Sequence, residues 1–195
     1  FDFIPEKETV RLLNPLSSEL NVMRQSLLFS VMENVERNVN NRNTNLRFFE
    51  FGKVYRLNPE TIKGDDVVKR YQERQDFVMI VTGKDADDTW NRKAQDLDLF
   101  YLKNMVENVL EKVNFPMDQL QKNTEEESRM FVDHVSYVCG EENIVTIGNL
   151  HPAVMKYFGM KSPVYYAEFN FPAIVSKIAN RSVKFQPIGF CFALS

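Results

Sequence analysis

The chain has 195 residues, of which 44% are hydrophobic and 12% aromatic, and its formal net charge is -3 at pH 7. This apolar content can bury one sizeable core and excludes an intrinsically disordered chain, so we predict a single domain over residues 1–195. The acidic balance excludes a surface built mainly to neutralise phosphates, because nucleic-acid binders usually carry a basic excess.

The first predicted helix follows a turn cluster at residues 14–19, whose Asn and Ser side chains can cap free amide groups. The helix is expected to span residues 20–42 and to end in the Asn-rich segment 40–43, because Asn tolerates the left-handed conformation that closes many helices. Its apolar residues recur at alternating four- and three-residue steps and form one stripe. The stripe consists of Leu28, Met32, Val35 and Val39.

A β-hairpin is predicted next. Segment 45–56 carries apolar side chains on both alternate sets, which predicts an interior strand covered on both faces. Segment 57–75 contains Pro, Gly and many charges, and we interpret it as an exposed hairpin loop. The β-branched and aromatic run 76–81 stops before Gly83 and predicts the antiparallel partner strand.

The second half of the chain alternates helices and strands. A polar connection over residues 84–95 precedes a second long helix over residues 96–113, again predicted from apolar spacing. Further strands are predicted at 130–139, 143–147 and 164–169, and short helices at 151–159 and from 171 onward. This order predicts an α+β fold with helices packed on an antiparallel sheet.

The chemistry-bearing residues form no known catalytic or metal-binding pattern. The motifs GxSxG, GxxxxGK[ST] and GxGxxG do not occur. The acidic runs 85–88 and 125–127 lack the spacing of a cation-binding loop. A zinc site would need four distant and unpatterned ligands, so we predict no metal ligands here. Those four residues are His134, Cys139, His151 and Cys191.

Cellular location follows from cysteine usage and hydropathy. The chain has two cysteines without C-x-x-C spacing, which predicts free thiols in the reducing cytoplasm. No segment approaches the roughly 20 apolar residues that span a bilayer, and the N-terminus lacks the order of a signal peptide. We therefore expect a cytoplasmic protein with no membrane contact.

Glu50 lies among Phe48, Phe49 and Phe51 in a strand predicted to be buried, where an unpaired carboxylate is costly. A neighbouring arginine, Arg24 or Arg47, could satisfy it in a structural ion pair. Alternatively, Glu50 could contact a ligand inside a cleft. The structural pair is the favoured interpretation, with Arg24 and Glu50 as the polar residues of interest.

Three segments resemble, in order and spacing, the catalytic-like module of bacterial phenylalanyl-tRNA synthetase beta chains. They are residues 14–17 (NPLS), 23–28 (MRQSLL) and 49–55 (FEFGKVY). Trp90 and residues 148–152 (GNLHP) also resemble that module, so the resemblance covers nearly the whole chain. Because the sequence begins with Phe, we expect a piece of a longer multidomain beta chain.

The resemblance implies a class II aminoacyl-tRNA synthetase fold in a subunit that supports a separate catalytic alpha chain. It implies an α2β2 enzyme that uses ATP and Mg²⁺ to activate phenylalanine and to charge its tRNA. The beta-chain module itself lacks the active site, so no catalytic or cofactor-binding residue is expected here.

The loss of activity can be read from the residues. Active class II enzymes place an Arg two residues before the Glu of their second motif, and its guanidinium clamps the ATP phosphate. In this chain that position is Phe48, and no glycine-rich third motif with a following Arg occurs. The chain departs from the beta-chain pattern at residues 134–136 (HVS, where His-Pro-Gly is usual) and in the tail 186–192, which leaves a native strand at 189–195 open.

We hypothesise that the 20–42 helix and the adjoining strand meet the alpha subunit, because related enzymes pack helices into an interface bundle. Under this hypothesis the stripe Leu28, Met32, Val35 and Val39 is the contact. The alternative is that the stripe covers the domain's own sheet, as amphipathic helices commonly do. Two other functions stay open: a stand-alone paralogue that binds nucleotide or amino acid, and a tRNA-contacting module.

Overall fold

The computed structural model describes residues 4–15, 21–58, 70–124 and 128–179. Its strands are β1 (Leu46–Leu57), β2 (Tyr71–Thr82), β3 (Gln121–Asn123), β4 (Phe131–Cys139), β5 (Glu142–Leu150) and β6 (Val164–Phe169). Its α-helices are α1 (Leu28–Asn40), α2 (Leu99–Lys112), α3 (Pro152–Tyr157) and α4 (Phe171–Ala179). The six strands form one antiparallel sheet in the order β1-β2-β6-β5-β4-β3, so the predicted α+β architecture is confirmed.

The sheet carries one apolar core on each face. Helices α1 and α3 cover one face, where Leu28, Ile80 and Tyr166 are fully buried. Helices α2 and α4 cover the other face, where Leu102 and Phe169 are fully buried. No helix in the described ranges is long and apolar enough to cross a bilayer.

Helix α1 begins later than predicted. The prediction of a start near residue 20 is wrong, because residues 21–23 form a short extended pairing with residues 10–12 instead. The Ser26 hydroxyl then accepts a hydrogen bond from the Leu28 amide at 3.1 Å and satisfies one free donor of the first turn. The helix ends in the predicted segment, but Arg42 rather than an Asn takes the left-handed conformation, with φ 67°.

The hairpin β1–β2 forms as predicted, but its strands are longer and less covered. Pairing runs from Leu46 opposite Thr82 to Leu57 opposite Tyr71, so residues 71–75 belong to β2 and not to the loop. β1 is an edge strand, and its side chain Phe49 is 74% exposed. The prediction that both faces of β1 are covered is therefore wrong. Helix α1 covers one face, while α2 and α4 pack mainly on β2, β5 and β6 and reach β1 through Tyr101 and Phe171.

The remaining elements agree with the predictions within a few residues. Asp98 caps α2, since its carboxylate accepts a hydrogen bond from the Tyr101 amide at 2.7 Å. Pro152 occupies the first turn of α3, where the missing amide costs nothing. The short polar strand β3 was not predicted. The acidic run 125–127 and the tail 180–195, with Cys191, lie outside the described residues.

Candidate functional site

The carboxylate of Glu50 ties strand β1 to the chain that leads into α1. Its Oε1 receives a hydrogen bond from Arg24 Nη1 at 2.7 Å, and its Oε2 receives one from the Ser30 hydroxyl at 2.9 Å. Both oxygens are thus satisfied, although about a quarter of the Glu50 side chain remains exposed (24%). The arrangement joins residues that are far apart in sequence but adjacent across the α1–β1 junction.

Arg24 also runs beside the end of β1. Its Nε donates to the Lys53 carbonyl at 2.8 Å, and its own carbonyl accepts from the Tyr55 amide at 2.8 Å. A β-carbon on Gly52 would lie 2.3 Å from Arg24 Nη2 and 3.0 Å from Leu27 Cδ2. The glycine of the FEFGKVY segment therefore makes room for the guanidinium that pairs with Glu50.

Arg47, the other candidate partner, faces away from Glu50. Residues three apart on a strand point to opposite faces of the sheet. Arg47 Nε donates to the Tyr101 hydroxyl at 2.8 Å, and Nη2 donates to the Asp85 carbonyl at 2.5 Å. Arg47 thus fastens β1 to α2 and to the loop after β2.

A cleft of about 490 Å³ opens between α1 and the edge of β1. It is lined by Ser30, Val31, Asn34, Asn38, Phe48, Phe49 and Glu50. Glu50 is the single charged residue among these lining residues, and Arg24 and Ser30 already occupy its carboxylate. The described walls of this cleft hold no cation that could bind a phosphate.

A second polar cluster lies on the same face of the sheet and was missed by the sequence predictions. Asp76 is fully buried and receives two hydrogen bonds from Arg74, at 2.7 and 2.8 Å. Burial raises the pKa of the nearby Glu168 carboxyl, Asp76 raises this pKa further, and Arg74 and Arg56 lower it. Two acidic residues inside predicted strands were the available signal, but only the strand order places them together.

The possible metal ligands lie in separate places. The His134 ring stacks on Phe131, with ring centroids 5.9 Å apart, and His151 Nδ1 accepts a hydrogen bond from the Ala153 amide at 3.2 Å. Cys139 is a buried free thiol. Within the described ranges, no three His, Cys, Asp or Glu side chains come together as a metal site would require.

The apolar stripe of α1 points into the molecule. Leu28, Met32 and Val35 have no exposed surface, and Val39 packs partly buried against the same core. These side chains contact the domain's own sheet, in line with the alternative that the sequence left open. The contact between this domain and an alpha subunit stays a prediction, but the three fully buried side chains are not accessible to a partner.

The Arg24–Glu50 pair should show measurable coupling. We expect the two single alanine variants and the double variant to give a coupling free energy of about 0.5–1.5 kcal/mol, reduced by the partial exposure of both groups. Urea denaturation of the four proteins measures it. The matched control is the same cycle with Arg47 and Glu50, which should be additive within about 0.5 kcal/mol. Coupling of Glu50 to Arg47 in place of Arg24 would contradict the observed geometry.

Comparison with known proteins decides the family. A family model described as the phenylalanyl tRNA synthetase beta chain CLM domain matches residues 2–171. The chain belongs to this family. The phenylalanine–tRNA ligase beta subunit of Bacteroides fragilis is 30% identical over 184 residues, which are 94% of this chain and 22% of that protein. The corresponding subunit of Geobacter sulfurreducens is 30% identical over 187 residues, with the same coverage of 94% and 22%.

These beta-chain relatives are much longer, and the chain spans about a fifth of their length (22%). The pyrrolysyl-tRNA synthetase structure of Desulfitobacterium hafniense has a TM-score of 0.61 and 15% identity, over 91% of this chain and 59% of that one. At 15% sequence identity, this similarity shows a shared fold and not a shared function. The CLM domain has the class II aminoacyl-tRNA synthetase fold, as predicted.

Proposed function

We propose that this domain is a non-catalytic structural part of a phenylalanine–tRNA ligase beta subunit and supports a catalytic alpha subunit. In this proposal the complete α2β2 enzyme is cytoplasmic, uses ATP and Mg²⁺, and charges tRNA with phenylalanine. Family membership supports the biochemical setting. The environment of Phe48 supports the silent role of this domain.

Phe48 is the observation that carries the proposal. It stands two residues before Glu50, where an active class II enzyme has the arginine that clamps the ATP phosphate. Its side chain is half-buried and packs against the core beneath α1, so this position supplies an apolar contact and no cation. Loss of a single hydrogen-bond donor to the transition state commonly lowers the catalytic rate by about 10²–10³-fold, because the negative charge that develops there is no longer stabilised.

Glu50 fits the same proposal. In an active enzyme the second-motif carboxylate holds substrate, but here Arg24 and Ser30 occupy both of its oxygens. The carboxylate thus stabilises the junction between α1 and β1. A substrate would compete with these two donors for the carboxylate, and both hydrogen bonds have ordinary geometry.

We propose that a contact between this domain and the alpha subunit uses surfaces other than the buried stripe of α1. Helix α1 presents Glu33, Asn34 and Arg37 outward, and these exposed side chains are the part of α1 that a partner could reach. The sequence hypothesis placed the contact on the stripe Leu28, Met32, Val35 and Val39, and we now propose this outward face of the helix in its place. Interfaces formed through such a polar face depend on hydrogen bonds and charge complementarity more than on apolar burial.

The proposal is tested in the assembled enzyme with Glu50→Gln. A structural glutamate should leave kcat/KM for phenylalanine charging within about twofold, whereas a catalytic carboxylate would lose about 10²-fold or more. Calorimetric titration of the complete beta chain with ATP and phenylalanine should give no binding heat, with the assembled enzyme as positive control. Binding by the beta chain alone, or a large loss in the Glu50→Gln enzyme, would overturn the proposal.

A further inference from the structure

The outer edge of β1 has free hydrogen-bonding groups. In an antiparallel strand the N–H and C=O of one residue point to the same side, and alternate residues point to opposite sides. The Tyr55 amide and the Lys53 carbonyl bond to Arg24 and not to β2, so odd-numbered residues point outward. Arg47, Phe49 and Phe51 share this orientation, and no described residue outside the β1–β2 ladder bonds to their main chain.

The exposed side chains along this edge are aromatic. Phe49 is 74% exposed and Phe51 is 49% exposed. Phe49 contacts Phe77 and Phe51 contacts Phe171, with ring centroids 6.1 and 4.7 Å apart. An edge strand with exposed apolar side chains and unpaired main-chain groups is a template for strand pairing.

The charges that normally protect such an edge are engaged elsewhere. Natural edge strands often carry free charges that prevent pairing with another strand. In β1, Arg47 is held by Tyr101 and by loop carbonyls, and Glu50 is held by Arg24. Arg47 keeps its positive charge, because its partners are neutral, but its guanidinium is held toward α2 and the loop after β2, while Arg24 pairs with the Glu50 carboxylate. The cleft between α1 and β1 leaves room for side chains of an added strand on the other face of the sheet.

The edge is complementary to itself about Phe49. If two copies of the strand run antiparallel with the two Phe49 residues opposite each other, Arg47 lies opposite Phe51 of the second copy and no like charges meet. A pairing centred on Arg47 would place two arginines opposite each other, which destabilises a sheet. A pairing centred on Phe51 would need Lys53, whose carbonyl Arg24 already occupies.

We propose that β1 pairs edge to edge with β1 of a second copy of this chain, antiparallel and centred on Phe49. Such a contact is isologous and closes as a twofold dimer. It continues the sheet across the twofold axis and covers the exposed Phe49 and Phe51 rings. The inference goes beyond the proposed function and does not require it, although an α2β2 enzyme would contain the two copies that the contact needs.

Photo-crosslinking of the complete polypeptide, with its natural partners present, tests the proposal. With p-benzoylphenylalanine at position 49, we expect a crosslink to residues 47–51 of a second copy. The matched control is the same probe at Phe100, which is 72% exposed on α2 and should give no such product. A crosslink from position 49 to another protein or to another part of the same chain, or no crosslink, would overturn the inference.

Charge substitutions at Phe51 separate the proposed register from a general apolar contact. Phe51→Lys would face Arg47 of the second copy, so the crosslink yield from position 49 should fall about tenfold. Phe51→Glu removes the same ring but faces that arginine with an opposite charge, and should keep the yield within about threefold. Circular dichroism verifies folding of both variants. Equal losses in the two variants, or no loss with lysine, would contradict the register.

Discussion

Leu28→Asp should leave the chain without a cooperative folded state. Leu28 has no exposed surface and belongs to the core between α1 and the sheet. The substitution removes a buried apolar side chain and places an unpaired carboxylate in its position. We expect a loss of more than about 4 kcal/mol, which is comparable with the whole stability of many domains. Thermal unfolding followed by circular dichroism measures it.

Asn34→Asp provides the matched control, because it adds the same charge to the exposed side of the same helix. It should change stability by no more than about 0.5 kcal/mol. If Leu28→Asp instead melts cooperatively near the parent temperature, the stripe of α1 does not form the core. The hypothesis that the stripe meets an alpha subunit would then regain its support. The pair of variants thus separates a folding defect from an interface defect.

Gly148→Ala should be the second strongly destabilising change. A β-carbon at this position would lie 2.5 Å from the Phe131 ring and 2.7 Å from the Asp133 carbonyl. Neither group can retreat easily, since Phe131 is buried in the core and Asp133 belongs to the paired strand β4. We expect a loss of about 1–3 kcal/mol, typical of overpacking. Differential scanning calorimetry should show the melting temperature lower by roughly 2–12 °C.

Two further variants identify the cause of that loss. Gly140→Asn should cost less than about 1 kcal/mol, because open space surrounds Gly140 and Asn tolerates its left-handed conformation. If crowding against Phe131 is the cause, Phe131→Leu should be less harmful in the Gly148→Ala background than alone. Additive effects would show that the ring is not the obstacle. The requirement for glycine at position 148 would then have another cause.

Features that depend on neighbours in the chain could be predicted from the sequence. The stripe of α1, the apolar spacing of α2 and the proline that starts α3 follow from periods and dihedral preferences within a few turns. The strand prediction over 164–169 matches β6 for the same reason. The class II fold and the family came from the resemblance of three segments and are confirmed by the comparisons.

Features that depend on contacts between residues far apart in the chain could not be predicted from the sequence. The sequence offered two arginines for Glu50, and the approach of residue 24 to β1 selected Arg24. The polar cluster of Asp76 and Glu168 forms because β2 and β6 are neighbours in the sheet. In the sequence, α2, β3, β4, β5 and α3 lie between these two strands. The alternation of side chains along a strand predicts which residues share a face, but it does not predict which face a helix covers.

The sequence by itself determined the family, the local elements and the presence of Phe48 where an active enzyme needs an arginine. Only the tertiary structure decided that the α1 stripe is core, that Arg24 holds Glu50, and that β1 ends the described sheet with Phe49 and Phe51 exposed. The reason is that burial and edge position are properties of strand order. Strand order is fixed by contacts between residues that the chain keeps far apart.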